Sequence, residues 1–280
     1  MFTKQNREED AALVRAEEQE KMRLEQIFLR DIRRLFIRMN RANSESIAGT
    51  GSNIVANRFK PEWEAILDNH YSRVQNAFQN NVRLRLPEGE RELSDEEIAL
   101  LIAAYISWRE ERRQSSAQII TDTNQRQLNN AIDMARQTMI EQDQEITNMG
   151  LAATTAVIFR RAYEARTNVI AITETQAAAE STKLQESAVL SGEDPSSITR
   201  LGGLFIASKS IKIWNTVGDI LVRPIHAAVN LTDVSINEAF TIGGERLMFP
   251  GDTSLGATAK NVAHCRCGLT YRINRVRRAA

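Results

Sequence analysis

The sequence predicts a mainly α-helical protein, in which an elongated helical N-terminal region is followed by a small α+β C-terminal module. Helix breakers are scarce, because no proline occurs between Pro87 and Pro195, and this favours long helices. A cluster of serine, glycine and proline at Ser191–Ser197 is typical of a linker. After it, β-branched residues and glycines become more frequent, which indicates strands and turns. The predicted domain ranges are a charged N-terminal helix over 1–42, a helical domain over 43–190 and the α+β module over 198–280.

The first helix is predicted from about Glu8 to Asn40. Six of its apolar residues recur at helical spacing on one face and form what we call the apolar stripe: Leu24, Phe28, Ile32, Leu35, Phe36 and Met39. The first half of the helix is almost wholly charged, so we expect it to be solvated or to await a partner. A helix of this length needs a surface to cover, and that surface is either the protein's own helical core or a docking partner.

The rest of the helical region is predicted from local signals. Serine and glycine predict a linker at Asn43–Asn53, and the second helix begins at Pro61, a residue favoured in the first turn. A break follows at Asn80–Arg91. Ser94 and Glu97 have the spacing of a capping box, in which each side chain bonds the backbone N–H of the other, and they open the third helix. Further helices are predicted over about 122–142, 145–166 and 168–190.

Strands and tight turns are predicted in the C-terminal module. Three segments have strand composition: Ile211–Val217, Arg246–Phe249 and Leu269–Ile273. Gly243 and Gly244 can supply the positive φ that a tight turn requires, and Pro250-Gly251 suits the centre of a type II turn. We expect Asp252 to bond its own downstream backbone. These features indicate a rigid turn scaffold, and the sequence lacks the spacing of a phosphate-binding loop.

Four side chains of the C-terminal module are of types that bind metals: His226, His264, Cys265 and Cys267. The Cys-x-Cys spacing is tighter than the usual Cys-x-x-Cys, and the adjacent His264 and Cys265 cannot easily both reach one ion. We therefore expect no metal, and expect both cysteines to be buried as small hydrophobic side chains without a strained disulfide. The alternative is a site in which His226 or Asp219 joins the two cysteines.

Asp219, Arg223 and His226 are also of types used in acid–base chemistry. The sequence gives them no fixed geometry, and no nucleophile with a partner base can be placed beside them. We expect structural pairing instead, with Asp219 and Arg223 as an ion pair and His226 bonding a backbone carbonyl.

Charge and hydropathy limit the classes of partner. The net charge is zero and aromatic residues make up 6%, which does not suit a chain that binds nucleic acid over its whole length. Residues after 266 include four arginines and no acid: Arg272, Arg275, Arg277 and Arg278. These arginines belong either to a solvated terminus or to a contact with DNA phosphates or an acidic protein. No apolar stretch approaches the roughly 20 residues that a membrane span needs, and the polar N-terminus does not suit a signal peptide.

The module carries a series of short motifs whose order resembles the Mu F-like head-morphogenesis proteins of tailed bacteriophages, also called minor head proteins. The motifs are a Lys-x-Trp strand, an aspartate, Arg-x-x-His, Gly-Gly-Glu, Pro-Gly-Asp and a closing Cys-Arg-Cys. Their residues, the signature residues, are Lys212, Trp214, Asp219, Arg223, His226, Gly243, Gly244, Glu245, Pro250, Gly251, Asp252, Cys265, Arg266 and Cys267. Upstream, residues 166–175 are similar to the family's Arg-x-x-x-Ile-Ala-x-Thr-Glu helix. Leu221 departs from the pattern, because the family often has a second arginine there.

The resemblance implies a minor structural protein of a phage head, not an enzyme, and one that needs no cofactor. Such proteins are made in the host cytoplasm and lie in the virion, inside the head near the portal vertex. They bind the portal protein and other head proteins and assist procapsid assembly, and some are thought to leave the capsid with the DNA. The resemblance implies no membrane contact. The alternative function, based on the residues, is a metal-assisted or transferase-type enzyme that uses Asp219, His226, Cys265 and Cys267.

Overall fold

The structure, a computed structural model, describes residues 4–198 and 209–276, and it confirms the predicted fold class. Four long helices come first: α1 (Lys4–Thr50), α2 (Lys60–Phe78), α3 (Asp95–Glu141) and α4 (Asn148–Leu190). Short helices and strands follow: α5 (Pro195–Ile198), β1 (Ile211–Asn215), α6 (Pro224–Ala227), β2 (Asp233–Ser235), β3 (Phe240–Ile242), β4 (Glu245–Leu247), α7 (Ala259–Val262) and β5 (Gly268–Arg272). Within the described ranges, no helix is both long enough and apolar enough to cross a membrane.

The long helices extend further than the sequence predicted. α1 continues to Thr50, so the predicted linker at Asn43–Asn53 is wrong over its first part. Asn43 and Ile47 are fully buried there, and packing of this kind outweighs the weak helix propensity of serine and glycine. α3 and α4 likewise run without interruption through segments where the sequence predicted separate helices. The break after α2 is confirmed, since residues 79–94 contain only short 3₁₀ turns.

The chain forms two compact units that do not follow consecutive ranges of sequence. The first, called the C-terminal unit, consists of Met1–Glu25, Tyr71–Arg109 and Ile172–Ala280. The second, called the helical unit, consists of Gln26–His70 and Glu110–Ala171. Each of the four long helices contributes one part to each unit. The predicted domains 1–42, 43–190 and 198–280 are segments expected to fold independently, and these domain boundaries stay a prediction.

The apolar stripe of α1 is buried. All six of its residues are exposed by 2% or less. In the helical unit, Phe36 stacks on Tyr163 with ring centroids 4.9 Å apart and meets Trp63 edge to face at 5.2 Å. Phe28 stacks on His70 at 3.9 Å. The protein's own core therefore covers the stripe, and these side chains are not a docking surface.

The C-terminal unit contains a three-stranded antiparallel sheet in the order β2-β1-β5 and a separate β3-β4 hairpin. β1 is the central strand, and Trp214 on it lies opposite Leu269 on β5. Both side chains are fully buried in a core that also includes residues of α4. The sequence predicted β1, β4 and β5 but missed β2 and β3.

The glycine turns have the predicted conformations. Gly243 and Gly244 have φ of +57° and +85°, which suits the type I′ turn of the β3-β4 hairpin. Gly251 has φ of +90°, and the Asp252 N–H bonds the Phe249 carbonyl at 3.1 Å, as in a type II turn. A Cβ on Gly251 would also come within 3.1 Å of the Ala177 backbone nitrogen, so glycine lets this turn approach α4 closely.

Candidate functional site

Three of the side chains in the alternative metal site lie together and are buried. His226 is in α6, and Cys265 and Cys267 lie immediately before β5. His226 Nδ1 is 3.5 Å from Cys265 Sγ and 3.4 Å from Cys267 Sγ. The three residues are exposed by 3% or less, and one ligand atom of each lies within 4.8 Å of the others. We call this group the Cys–His cluster, and Asp219 and His264 are not part of it.

Local sequence explains how the Cys–His cluster forms. Burial alternates along Cys265, Arg266 and Cys267, as in a strand, so the Cys-x-Cys spacing places both thiols on the same side. His264 has φ of +55°, and this left-handed turn leads the chain from α7 to Cys265. The third side chain comes from α6, which begins at Pro224, a favoured first-turn residue. The tight Cys-x-Cys spacing is no obstacle to a shared site, because the third side chain comes from His226, which is distant in sequence but contacts both cysteines.

A chain of hydrogen bonds fixes the orientation of the His226 ring. Asn261 Nδ2 donates to the Glu245 carboxylate at 2.6 Å and to the Ile242 carbonyl at 3.2 Å, and both of these groups only accept. Asn261 Oδ1 therefore faces His226 Nε2, 3.2 Å away, and Nε2 must carry the proton. In the neutral imidazole, the lone pair of Nδ1 then points at the two sulfurs. This corrects the sequence expectation that His226 bonds a backbone carbonyl.

The two cysteines differ in acidity. Cys267 donates a hydrogen bond to Cys265, and this bond lowers the pKa of Cys265 despite its burial. The same bond and burial raise the pKa of Cys267, which keeps the proton that it donates. Both cysteines are free and buried, as predicted, but they contact a polar partner rather than apolar side chains alone.

Asp219 and Arg223 do not form the predicted ion pair. Asp219 pairs with Arg266, and its other oxygen accepts from the Leu221 N–H at 2.9 Å. Arg223 donates to the carbonyl of Ala263, beside the Cys–His cluster. The sequence could not choose between two arginines, because Arg266 is 47 residues from Asp219.

Lys212 and Asp252 hold the Pro-Gly-Asp loop. Lys212 is fully buried on β1, and its Nζ donates to the Met248 carbonyl at 2.8 Å. Burial lowers the pKa of Lys212 to about 7, although Asp252 opposes this effect. Asp252 accepts from the N–H of Met248 and of Ser254, each at 2.8 Å. The bond to Ser254 confirms the predicted contact with its downstream backbone.

The buried Lys212 predicts a pH dependence of stability. Its pKa falls from 10.5 in the unfolded chain to about 7 in the fold, so between these values the unfolded state binds more protons. We expect the free energy of unfolding to rise over this range, by at most about 1.4 kcal/mol per pH unit, and Lys212 to contribute no slope below pH 7. Urea denaturation of wild type and of Lys212→Met at several pH values checks this. Lys209→Met, at an exposed position, is the control, and equal slopes in all three proteins would contradict it.

The helix similar to the family's upstream motif contacts the module directly. Thr173 Oγ1 on α4 accepts from the His264 N–H at 3.3 Å, and the Gln176 side chain donates to the Cys267 carbonyl. Glu174 accepts from the Tyr71 hydroxyl at 2.7 Å. The two parts of the sequence that resemble the family therefore belong to one structure around the cysteines.

Sequence reasoning missed a network of buried charges beside the module. Lys21 on α1 lies 2.7 Å from Glu180 on α4, and Lys183 lies 2.6 Å from Glu17 and 3.0 Å from Glu180. Glu180 also accepts from the Leu269 N–H of β5 at 2.9 Å. The expectation that the first half of α1 is solvated is wrong at these positions. The partners that join α1 to α4 are more than 150 residues apart in sequence, so no local pattern could pair them.

The arginines proposed for DNA contact are engaged within the chain where the structure describes them. Arg272 pairs with Asp10 at 2.6 Å. The side chain of Arg275 is 5% exposed and bonds both oxygens of Glu97, at 2.7 and 2.9 Å. Glu97 also closes the predicted capping box with Ser94, which is confirmed. Arg277 and Arg278 lie outside the described residues.

A small cavity adjoins the Cys–His cluster. Its volume is about 10 Å³, about what one water molecule requires. Asp219, Arg223 and His264 line it together with the three cluster residues. A cavity of this size admits water or a single ion and excludes an organic substrate.

Comparisons of the chain with models of protein families, with curated proteins and with solved structures found no match. The function is therefore inferred from the ordered signature residues and from their contacts. Those contacts link Asp219 to Arg266, Arg223 to the segment before Cys265, and Glu245 through Asn261 to His226.

Proposed function

We propose that the chain is a minor structural protein of a tailed-phage head. It lies inside the head near the portal vertex, binds the portal protein and other head proteins, and assists procapsid assembly. One observation carries this proposal: the signature residues, spread over 212–267, form contacts that hold the C-terminal module together as one framework.

Each motif of the signature contributes a structural contact to this framework. The Lys-x-Trp strand supplies the bond from Lys212 to the Met248 carbonyl and the buried Trp214. The Gly-Gly-Glu loop supplies Glu245, which accepts from Thr258 and Asn261. Because the motif residues bond to groups within the module itself, they favour a rigid scaffold whose surface contacts other proteins.

The same contacts support a structural role better than catalysis. Asp219 is bonded to Arg266 and to the Leu221 N–H, and the Cys–His cluster is buried beside a cavity for one water. A site that turns over an organic substrate needs a cleft of roughly 300 Å³ or more. DNA contact by Arg272 and Arg275 is not part of the proposal, because both are paired with carboxylates.

A complementation experiment separates the structural role from the enzymatic alternative. In the phage that encodes this chain, deletion of the gene is expected to lower the yield of DNA-filled heads, and the wild-type chain restores it. Asp219→Asn is expected to restore the yield too, because asparagine can still accept from the Leu221 N–H and only a partly exposed ion pair is lost.

Two results of this experiment would count against the proposal. A normal yield of filled heads without the gene would remove the head assignment. If Asp219→Asn folds with an unchanged melting temperature but fails to restore the yield, the carboxylate has a chemical role, and the enzymatic alternative is favoured.

A further inference from the structure

We propose that the Cys–His cluster binds one Zn²⁺, with Cys265 Sγ, Cys267 Sγ and His226 Nδ1 as protein ligands and a water molecule as the fourth. The site would link α6 to the segment before β5 and so stabilise the framework. It is inferred from the positions of these side chains and does not depend on the proposed function.

The distances suit a tetrahedral ion. With Zn–S of about 2.3 Å and Zn–N of about 2.0 Å at a tetrahedral angle, nitrogen and sulfur ligands lie about 3.5 Å apart. His226 Nδ1 lies 3.5 Å and 3.4 Å from the two sulfurs. The separations of His226 Nδ1 from both sulfurs therefore already suit the ion.

The histidine is already oriented to bind a metal through Nδ1. The bonds of Asn261 to the Glu245 carboxylate and the Ile242 carbonyl leave only its oxygen for His226 Nε2. In the neutral imidazole, Nδ1 is then the unprotonated nitrogen, and it is directed at the sulfurs. A ligating histidine that donates its other N–H to a fixed acceptor is the usual outer-shell arrangement of zinc sites.

The donor set and its burial select the class of metal. Thiolate and imidazole ligands favour zinc over magnesium or calcium, which prefer oxygen. Two thiolates and a neutral imidazole cancel the charge of a divalent ion, and this neutrality suits residues that are almost fully buried. On binding, each thiol that is still protonated releases its proton to solvent.

The small cavity beside the cluster accounts for the fourth ligand. It has room for one water molecule and is bordered by Asp219 and His264. Asp219 is held by Arg266, and His264 is exposed and outside the cluster. Water therefore occupies the remaining position.

The test measures zinc in the purified full-length protein and then replaces it. We expect one Zn²⁺ per chain after expression in zinc-supplemented medium, and expect Co²⁺ added to the stripped protein to give the absorption of a tetrahedral site with thiolate ligands. A folded wild-type chain that holds no zinc and gives no such Co²⁺ spectrum overturns the proposal, whatever the variants do.

Variants identify the ligands and the outer-shell contact. Cys265→Ser, Cys267→Ser and His226→Ala are each expected to lose the thiolate Co²⁺ spectrum or to reduce bound zinc to well below one per chain. Asn261→Leu is expected to weaken zinc binding by about 10- to 100-fold. His264→Asn is the matched control, because asparagine tolerates the positive φ at this position, and zinc content there should equal wild type. Loss of zinc in this control with full retention in Cys265→Ser would overturn the assignment.

Discussion

Replacement of Glu180 with glutamine is expected to lower the free energy of unfolding by about 3–5 kcal/mol, as for other buried ion pairs that lose one partner. Glu180 is fully buried and forms ion pairs with Lys21 and Lys183, which are also buried. Burial alone would lower the pKa of Lys21, but the carboxylates around it, Glu180 first among them, raise it above the ordinary value. Lys21 is therefore charged at neutral pH, and glutamine would leave the two buried lysines with one carboxylate fewer.

Urea denaturation measures this loss, and an exposed ion pair on α1, the helix that carries Lys21, provides the control. Glu20 pairs with Arg23 one turn along α1, and both side chains are at least one-third exposed. Glu20→Gln is expected to change stability by less than about 1 kcal/mol. If the free energy of unfolding of Glu180→Gln lies within about 1 kcal/mol of the wild-type value, the buried network does not hold α1 to α4.

Replacement of Phe36 with alanine is expected to cost about 3–5 kcal/mol through lost burial and a residual cavity. The Phe36 ring is fully buried in the helical unit, where it contacts Trp63, Phe159 and Tyr163. The neighbouring Ile37 is 58% exposed, so Ile37→Ala is the matched control on the same turn of α1. We expect its effect to lie within about 0.5 kcal/mol of wild type.

Thermal and urea denaturation of these two variants also tests what the apolar stripe does. Equal stability of Phe36→Ala and Ile37→Ala would mean that the stripe is not core. If the Phe36→Ala variant is stable but absent from phage heads, the apolar stripe acts as a docking surface.

Features that depend on a few neighbouring residues could be predicted from the sequence. The Ser94–Glu97 capping box and the turn at Pro250-Gly251 each involve bonds within four residues, and both are confirmed. The bounds of the long helices could not be predicted, because burial of residues such as Ile47 overrides local propensity.

The candidate site depended on contacts between distant residues. The sequence identified His226, Cys265 and Cys267 as one alternative, but 39 residues separate His226 from the nearer cysteine, and no spacing rule places them together. The partners of Asp219 and His226 were predicted wrongly for the same reason. Asn261, which orients His226, carried no signal that could have identified it, because asparagine before a loop is common.

The most direct test of the proposed function is the copy number of the chain in purified heads, measured by quantitative mass spectrometry with and without the portal protein. The proposal predicts few copies per head when the portal is present, and their loss when it is absent. Absence of the chain from portal-containing heads, or equal amounts in heads that lack the portal, would contradict it.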